Sequence, residues 1–483
     1  MKINNLKINY ILNLTRMLLG SMFILLSMPY VNRILGSTNL GKVEYNNSII
    51  SYILLLTALG IPSYGIREVG KVRENKDELS KLVLELLFIV MITSVIGYVI
   101  VAILIFNVKE VKANYLLFLI LSIDILFSNV GVDWFYQGIE NQIYITKRFV
   151  FMRLIGLVML FTLLKKENDY IIYAIIIVIM NSGSNFFNLI NLRKYIKLKK
   201  FKELNLKKHI KPIVVMFSAT LAMSIYLQLD TVMIGSIVGV KYVGFYSVAI
   251  KFIRLLLIII TSLGSVMIAR LSNCIQNNNI ELYKKYANYS LKLVFFLAIP
   301  MSLGIFILAN EIIFVMAGTQ FVQSIMTLRI LSFMVLFIGL SNFIGFQVLY
   351  PHNLERYYTF SVIGAVIINI TFNFLFIKKF YQNGAALATL ATEAASMIMM
   401  IFFAKEKLKK IEFFNLKNLK YLFASIIMGI VIFILKKILK SEINILLTSI
   451  LLGGIFYIGI LFLLKETIIM SLVKNLKLKR GKI

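Results

Sequence analysis

The sequence is poor in charged residues, cysteine and histidine. Charged side chains make up 15% of its 483 residues, whereas soluble domains usually carry about a quarter, which argues against a water-soluble enzyme. The single cysteine, Cys274, excludes a disulfide framework and a cysteine-based metal cluster. The two histidines, His209 and His352, lie far apart and form no metal-binding spacing. We therefore predict no metal site.

Catalytic and nucleotide-binding motifs are also missing. The sequence contains no P-loop, no pair of catalytic carboxylates and no Ser-His-Asp set. We therefore predict that the protein is not an enzyme and has no bound cofactor. Any work it does would be driven by an ion gradient, the membrane potential or the substrate gradient, with a proton or sodium ion as the coupling ion.

Long apolar runs dominate what is present. Hydrophobic residues make up 59% of the chain, and the mean hydropathy is +0.86. Runs long enough to cross about 30 Å of hydrocarbon lie at 9–31, 43–64, 82–106, 114–136, 148–164, 170–192, 212–238, 242–268, 287–308, 324–349, 357–377, 383–404, 419–436 and 443–464. The runs are continuously apolar rather than alternating, which favours helices over a β-barrel. We predict an all-α polytopic membrane protein with about 14 transmembrane helices.

The net charge of +30 is explained by topology rather than by nucleic acid. If the N-terminus lies inside, the inner loops and tails hold roughly three times as many Lys and Arg residues as the outer loops, and cytoplasmic loops collect such residues. We predict a multipass membrane protein with both termini in the cytoplasm and no nucleic-acid partner.

The densest basic segment marks the predicted domain boundary. Residues 194–211 are interpreted as a cytoplasmic linker that touches anionic lipid head groups, with recognition of a specific partner as the alternative. An N-terminal lobe of helices 1–6 precedes it at 1–193, and a C-terminal lobe of helices 7–12 follows at 212–404. Residues 405–483 hold helices 13–14 and a basic tail.

An internal repeat relates the two lobes. Gly36 and Gly41 follow the first span, and Gly239 and Gly244 stand at the corresponding places of the second lobe. Six spans in each half would give both copies the same orientation, so we predict parallel repeats. Such halves usually face one another across a cavity that holds the transported molecule.

Ionisable residues deep in the apolar runs are costly and need an explanation. They are Arg16, Asp124, Asp230, Lys251, Arg254 and Glu393. Lys251 and Arg254 are three residues apart and share one helix face. One interpretation is internal ion pairing that fixes helix packing. The other is a cavity that binds an anion through Arg16, Lys251 and Arg254, since guanidinium groups suit phosphate.

Residues near the span ends have simpler predicted roles. Arg153, Glu85 and Arg329 are expected to extend to the membrane interface. Trp134, the only tryptophan, is predicted to be an interfacial anchor. Pro300 lies within the ninth run, where it permits a kink, either as a hinge or as static curvature.

Four stretches resemble the Wzx-type oligosaccharide-lipid flippases of bacterial surface-polysaccharide pathways. These flippases belong to the multidrug/oligosaccharidyl-lipid/polysaccharide exporter superfamily. The stretches are DWFYQGIE at 133–140 followed by Tyr144-Ile145-Thr146, GIPSYGIRE at 60–68, Leu229-Asp230 with VGFYSVA at 243–249, and NGAALAT at 383–389. The resemblance covers essentially the whole chain in the expected order.

The resemblance implies two six-helix lobes forming a V, two extra helices and an inner cavity for an undecaprenyl-pyrophosphate-linked sugar repeat. Alternating access would carry the head group outward for capsule or O-antigen synthesis. Arg16, Lys251 and Arg254 would then bind substrate. The predicted coupling or gating residues are Asp124, Asp230, Glu393, Arg67 and Asp133. The partners would be the lipid-linked oligosaccharide, the bilayer and a polysaccharide polymerase.

Three alternatives remain open. A drug or cation exporter of the same fold should have an acidic, aromatic cavity. A lipid II flippase would share the fold and the pyrophosphate. A membrane-bound polymerase or glycosyltransferase would need a large outer loop with catalytic residues, and the predicted outer loops are short.

Overall fold

The structure is a computed structural model that describes residues 6–197 and 204–471. The described residues are 90% helical and contain no β-strand, which confirms the predicted all-α class. The centre of the predicted basic linker, 198–203, and the basic tail beyond 471 lie outside the described residues.

Seventeen α-helices follow one another in the described chain. They are α1 (Leu6–Ala58), α2 (Ile61–Val72), α3 (Lys76–Asn107), α4 (Lys109–Ala113), α5 (Tyr115–Val130), α6 (Asp133–Gly138), α7 (Gln142–Leu163), α8 (Tyr170–Leu192), α9 (Lys207–Ile237), α10 (Val240–Gln276), α11 (Ile280–Ile307), α12 (Ala309–Ala317), α13 (Ser324–Ser332), α14 (Met334–Asn342), α15 (Glu355–Leu408), α16 (Leu419–Ile438) and α17 (Glu442–Leu463). A π-helical stretch, Phe343–Leu349, follows α14.

The helices accommodate the predicted membrane crossings. In the described chain, ten helical stretches are long and apolar enough to span a bilayer. Two of them are 54 residues long and are broken internally, at Gly36 in α1 and at Tyr381 in α15. α7 and α9 add helices of 22 and 31 residues. If the two broken stretches are divided at Gly36 and Tyr381, the total is fourteen, as predicted from hydropathy.

The repeated glycines occupy equivalent places in the backbone. Gly36 and Gly239 both have positive φ, at 66° and 104°, a conformation that glycine adopts without steric cost. A Cβ on Gly41 would lie 1.8 Å from the Val240 carbonyl oxygen, and a Cβ on Gly244 would lie 1.9 Å from the Ser37 carbonyl oxygen. Each glycine therefore allows a backbone-to-backbone approach that any side chain would block. The correspondence supports the predicted parallel repeat.

The described residues group into two compact units, one up to Gly244 and one from Phe245 onward. In the first unit α1 packs against α3, α5, α7 and α9, and α2 packs against α6. In the second unit α11 packs against α14 and α16, and α16 packs against α17. α9 packs with the first unit, and the lobe boundary at 194–211 stays a prediction.

Within the helix bundles, buried polar side chains bond to one another among the apolar core residues, and many large apolar side chains are exposed on the outside. Within the first unit, the buried Asn129 amide donates to the Thr57 and Ser94 hydroxyls, at 2.9 Å each. Phe106 of α3 and Leu451 of α17 are 75% and 65% exposed. This distribution suits hydrocarbon as the solvent, because interhelical hydrogen bonds join helices where lipid offers no polar partner.

Candidate functional site

The two most specific sequence motifs, 60–68 and 133–140, pack against one another through α2 and α6. A Cβ on Gly65 would lie 2.4 Å from Cε3 of Trp134, so the indole ring covers the bare backbone of α2. Trp134 is 5% exposed. The prediction of an interfacial anchor was wrong, because the absence of a side chain at Gly65 leaves room for the indole ring to pack inside the protein.

The same pair of helices is joined at a second place. A Cβ on Gly138 would lie 2.6 Å from Cγ1 of Val69. At the ends of the motifs, Arg73 Nη1 donates to Glu140 Oε1 at 2.6 Å. The glycines of both motifs therefore permit close helix packing, and the motifs form one packed substructure.

Asp133, the first residue of α6, is held by a buried arginine that sequence reasoning missed. Arg148 Nη2 donates to Asp133 Oδ1, and Asn188 Nδ2 donates to the same oxygen at 3.0 Å. Arg148 Nη1 also donates to the Ser184 carbonyl at 3.2 Å. Arg148 is 7% exposed, and the carboxylate neutralises its charge there. Its position at the first residue of the predicted fifth span suggested an ordinary boundary residue.

Arg16 belongs to the same electrostatic group. The charges that act on its guanidinium are Asp133 and Arg148. The structure thus brings together two of the predicted site residues, Arg16 and Asp133, with one that was not predicted. Since Asp133 interacts with both arginines, the group combines two cations with one carboxylate.

Arg67, the other predicted residue from these motifs, lies on the surface of α2. Its Nε donates to Glu68 Oε1 at 2.8 Å, and its guanidinium lies 5.2 Å from the centroid of the Tyr64 ring. Arg67 itself is exposed, and a gating role for it stays a prediction.

The three predicted coupling carboxylates are buried at separate places. Asp124, Asp230 and Glu393 are 6%, 7% and 9% exposed. Asp124 Oδ2 accepts a hydrogen bond of 3.5 Å from Asn181, and its Oδ1 is buried without a hydrogen-bond partner. Asp230 acts electrostatically on Tyr52, and Glu393 acts on Tyr358. A buried carboxylate oxygen with no donor, as in Asp124, would suit a proton.

Lys251 and Arg254 are half-buried on α10, and their predicted role in substrate binding stays a prediction. On the same helix, Phe252 and Leu256 line an apolar cavity of about 540 Å³. At 3.6 residues per turn, the two pairs point about 150° apart around the helix. One face of α10 thus carries two cations, and the opposite face lines the apolar cavity.

The apolar cavity lies within the second unit. Its remaining walls come mainly from α11, α16 and α17, and include Pro300, Met301, Gly304, Met428, Ile432, Gly454, Tyr457 and Ile458. Apart from the Tyr457 hydroxyl and Ser449, these side chains offer no polar group. Such a cavity suits a hydrocarbon chain.

Three residues were predicted to extend to the membrane interface, and one of them, Glu85, is instead buried inside the protein. It is fully buried, with Oε2 2.8 Å from His209 Nε2 and 2.9 Å from Lys208 Nζ. The prediction was wrong for Glu85, because partners from the region of α9 replace water. Arg153 and Arg329 are half-buried and donate to amide side chains at 3.4 Å and 3.3 Å.

The described chain offers no cluster of three or more His, Cys, Asp or Glu side chains that could hold a metal ion. The coupling proton or sodium ion stays a prediction.

Two family models match the chain. Residues 6–275 match the family described as "Polysaccharide biosynthesis protein", and residues 143–453 match "Lipid II flippase MurJ". Each match covers more than half of the 483 residues.

Curated relatives and solved structures agree with these matches. The chain is 22% identical to a protein of Escherichia coli (strain K12) named "Putative O-antigen transporter", over 79% of this chain and 92% of that protein. A Shigella dysenteriae protein of the same name is 21% identical, over 79% and 95%. The fold is similar to a lipid II flippase MurJ structure in an inward closed conformation, with a TM-score of 0.71, 18% identity and coverage of 95% and 99%. An inward-facing multidrug resistance MATE family transporter gives a TM-score of 0.63, at 14% identity and coverage of 80% and 94%.

Proposed function

Because the chain belongs to the polysaccharide biosynthesis protein family and is a Wzx-type flippase, we propose that it flips an undecaprenyl-pyrophosphate-linked oligosaccharide repeat unit across the bacterial cytoplasmic membrane. Alternating access is the proposed mechanism, and surface polysaccharide such as O-antigen or capsule is the proposed product. We also propose that both termini lie in the cytoplasm, and the charge bias of the loops supports this orientation.

The two faces of α10 are the observation that carries this proposal. A lipid-linked oligosaccharide joins an anionic pyrophosphate to a long hydrocarbon chain, so its carrier needs both cations and an apolar surface, and α10 supplies one on each of two faces. Lys251 and Arg254 supply the cations, and Phe252 and Leu256 lead into the apolar cavity. A soluble sugar or a hydrophilic ion would have no use for that cavity.

Each group then has a role that its chemistry suits. Lys251 and Arg254 would bind the pyrophosphate, since guanidinium and ammonium groups suit phosphate oxygens. Arg16 would add a third cation. The Asp133 carboxylate would partly neutralise the charge of Arg16 until the substrate binds. The apolar cavity would hold part of the isoprenoid chain. Asp124, with its unpaired carboxylate oxygen, is the best suited of the buried acids to exchange a proton with the transport cycle.

A lipid II flippase is the second candidate, favoured by the match over residues 143–453. Lipid II also combines pyrophosphate with an isoprenoid chain, so the residues of α10 suit it equally. A drug or cation exporter fits less well, because half-buried Lys251 and Arg254 would repel a cationic drug. A polysaccharide polymerase is the proposed protein partner, since it would consume the flipped repeat unit.

The test is surface polysaccharide display in a bacterial host whose own repeat-unit flippase has been deleted. The wild-type chain should restore display, and the Lys251→Ala/Arg254→Ala double variant should abolish it while still reaching the membrane. The matched control is Lys284→Ala/Lys285→Ala, which removes two exposed lysines from α11 and should leave display intact. Normal display in the α10 variant would contradict the proposed role of the two cations.

A second assay separates the candidate substrates. Rescue of a strain depleted of its lipid II flippase, without rescue of polysaccharide display, would favour lipid II. A change in drug susceptibility alone would favour a drug exporter.

A further inference from the structure

A second cavity, distinct from the apolar one, lies in the first unit between α7 and α8. Its volume is about 520 Å³, and we call it the α7–α8 pocket. Its lining combines polar and apolar side chains: Tyr144, Lys147, Arg148, Phe151, Phe187, Ile190, Asn191 and Lys194. None of the deep residues predicted to bind substrate lines it.

The polar part of the pocket carries an excess of positive charge. Lys147, Arg148 and Lys194 all line it, and Asp133 is the carboxylate bonded to Arg148. This leaves a net charge of about +2 at the pocket, which suits a phosphate group.

Arg148 offers a donor that the protein does not use. Asp133, Ser184 and Asn185 accept hydrogen bonds from its two terminal nitrogens. Its Nε is buried and has no hydrogen-bond partner. A buried donor without an acceptor is costly unless a ligand supplies the acceptor. The bonds of Arg148 to Asp133, Ser184 and Asn185 fix its guanidinium beside the pocket that Arg148 helps to line.

The apolar part of the pocket indicates that the ligand has a hydrocarbon chain. Phe151, Phe187 and Ile190 are 54%, 43% and 55% exposed, so the pocket is open to its surroundings along that side. In a membrane span, such exposed apolar side chains face acyl chains. The Tyr144 hydroxyl donates to the Phe187 carbonyl at 3.0 Å and ties the two helices together beside the opening.

The position along the helices places the pocket at a membrane surface. The cations lie at the start of α7 and at or just beyond the end of α8, where the spans meet the polar region. With the N-terminus inside, this is the cytoplasmic surface, and the anionic lipids of that leaflet attract basic residues. Basic pockets between helices on that side are a common form of lipid head-group site.

We propose that the α7–α8 pocket binds the phosphate of an anionic phospholipid from the cytoplasmic leaflet. Lys147 and Lys194 contact the phosphate, the charge of Arg148 adds to their attraction, and the acyl chains lie along Phe151, Phe187 and Ile190. The pocket volume fits one head group and the start of its chains rather than a chain of several sugars. The site is separate from the roles proposed for Lys251 and Arg254 on α10.

The proposal is tested by native mass spectrometry of the full chain with phosphatidylglycerol as the anionic lipid and phosphatidylcholine as the zwitterionic one. The Lys147→Gln/Lys194→Gln variant keeps Arg148 and its bond to Asp133, so it should remain folded. It should bind phosphatidylglycerol about thirtyfold more weakly, with phosphatidylcholine binding unchanged. The Lys284→Gln/Lys285→Gln variant is the control and should bind both lipids as the wild type does.

Three results would overturn the proposal. They are unchanged phosphatidylglycerol binding in Lys147→Gln/Lys194→Gln, an equal loss in the control variant, and an equal loss of both lipids, which would indicate a purely apolar surface. As a further arm, undecaprenyl pyrophosphate is added as a probe. If the variant loses that probe but not phosphatidylglycerol, the pocket belongs to the transported lipid instead. A negative result in this test would not change the result of the display assay of Lys251 and Arg254. The proposed lipid site and the proposed flippase function are therefore tested separately.

Discussion

His209 Nε2 lies 2.8 Å from Glu85 Oε2, and His209 Nδ1 lies 2.7 Å from the Tyr64 hydroxyl. Glu85 and His209 are both almost completely buried. The Asn205 backbone N–H donates to Glu85 Oε1 at 2.8 Å. Through these bonds the carboxylate of α3 connects α2 to the segment that begins α9, at the end of the predicted basic linker.

We expect Glu85→Ala to destabilise the protein strongly. Removing the carboxylate leaves the buried His209 ring and the Asn205 N–H without their acceptor, and each buried polar group left unsatisfied costs about 1–3 kcal/mol. Thermal unfolding of the purified protein in detergent measures the effect. The control is Glu78→Ala, an exposed carboxylate on the same helix, which should change the unfolding temperature little. Equal unfolding temperatures for the two variants would contradict a structural role for Glu85.

Two glycines of α2 should respond differently to the same substitution. Gly65→Ala forces a methyl group against Trp134 and should cost about 1–3 kcal/mol, the usual range for overpacking. The nearest atom to a Cβ on Gly70 is 4.0 Å away, so Gly70→Ala should be neutral or stabilise by up to about 1 kcal/mol, because alanine is the better helix former. Chemical or thermal unfolding compares the two variants. If Gly65→Ala is as stable as Gly70→Ala, the indole ring is free to move aside.

Asp133 and Arg148 should behave as a coupled pair in a double-mutant cycle. Asp133→Ala alone removes the carboxylate that pairs with the buried guanidinium and should lose about 1–3 kcal/mol, because the Asp133 side chain is 46% exposed. The Asp133→Ala/Arg148→Met double variant removes the stranded charge and should recover part of that loss, giving a coupling energy of about 1–3 kcal/mol. Unfolding free energies of the four proteins supply the cycle. Additive losses would show that the carboxylate does not support the arginine.

Glu466, which follows α17, should make stability depend on acid pH. Burial raises its pKa, but hydrogen bonds from Tyr421, Thr467 and the Ile469 N–H, with the charge of Lys420, hold the pKa below its ordinary value. A depressed folded-state pKa contributes stability above the unfolded-state value, near 4.5. That stability is lost as the pH falls through the folded-state pKa.

The unfolding temperature of the wild type should therefore fall more steeply than that of Glu466→Gln once the pH drops below about 4.5. Scanning both proteins from pH 6 to pH 3.5 in one detergent measures the difference. Parallel curves would mean that other carboxylates account for the acid sensitivity.

The membrane potential should favour outward flipping of a pyrophosphate. Two negative charges that move outward across an inside-negative membrane release about 4.6 kcal/mol per 100 mV, if no compensating ions move with them. In vesicles that contain the protein and a lipid-linked oligosaccharide, the potential should raise the accumulation of flipped lipid. If collapsing the potential and the ion gradients leaves accumulation unchanged, both energy sources are excluded. If Asp124 carries a coupling proton, Asp124→Asn should remove only the part that depends on the proton gradient.

Hydropathy predicted the helices well because each span responds to one local constraint. A backbone in hydrocarbon must satisfy its own hydrogen bonds, so a continuous apolar run of sufficient length is already a helix. The breaks at Gly36 and Tyr381 are a different matter. The internal repeat indicated a break at Gly36. Tyr381 has a φ of 53°, and nothing about a tyrosine in the sequence predicts a positive φ.

Charged residues were predicted less well because depth in the sequence says nothing about neighbours. Glu85 stands near the end of a run and was expected to reach water, yet residues more than a hundred positions away supply its partners. Arg148 stands at the start of a run and was passed over, although it holds Asp133 on α6. Trp134 was assigned to the lipid interface because it lies near the end of a span. It is buried because it packs against Gly65 on another helix.

The sequence by itself therefore determined the helical class, the polytopic membrane architecture and the family. Each of these depends on local apolar length, on charge bias or on contiguous motifs. Only the tertiary structure decided which charges are neutralised, how the two glycine motifs pack together, and where cations and apolar walls form the α7–α8 pocket. The physical reason is that the free energy of a buried charge is set by the groups within a few ångströms of it, and folding brings those groups together from distant parts of the chain.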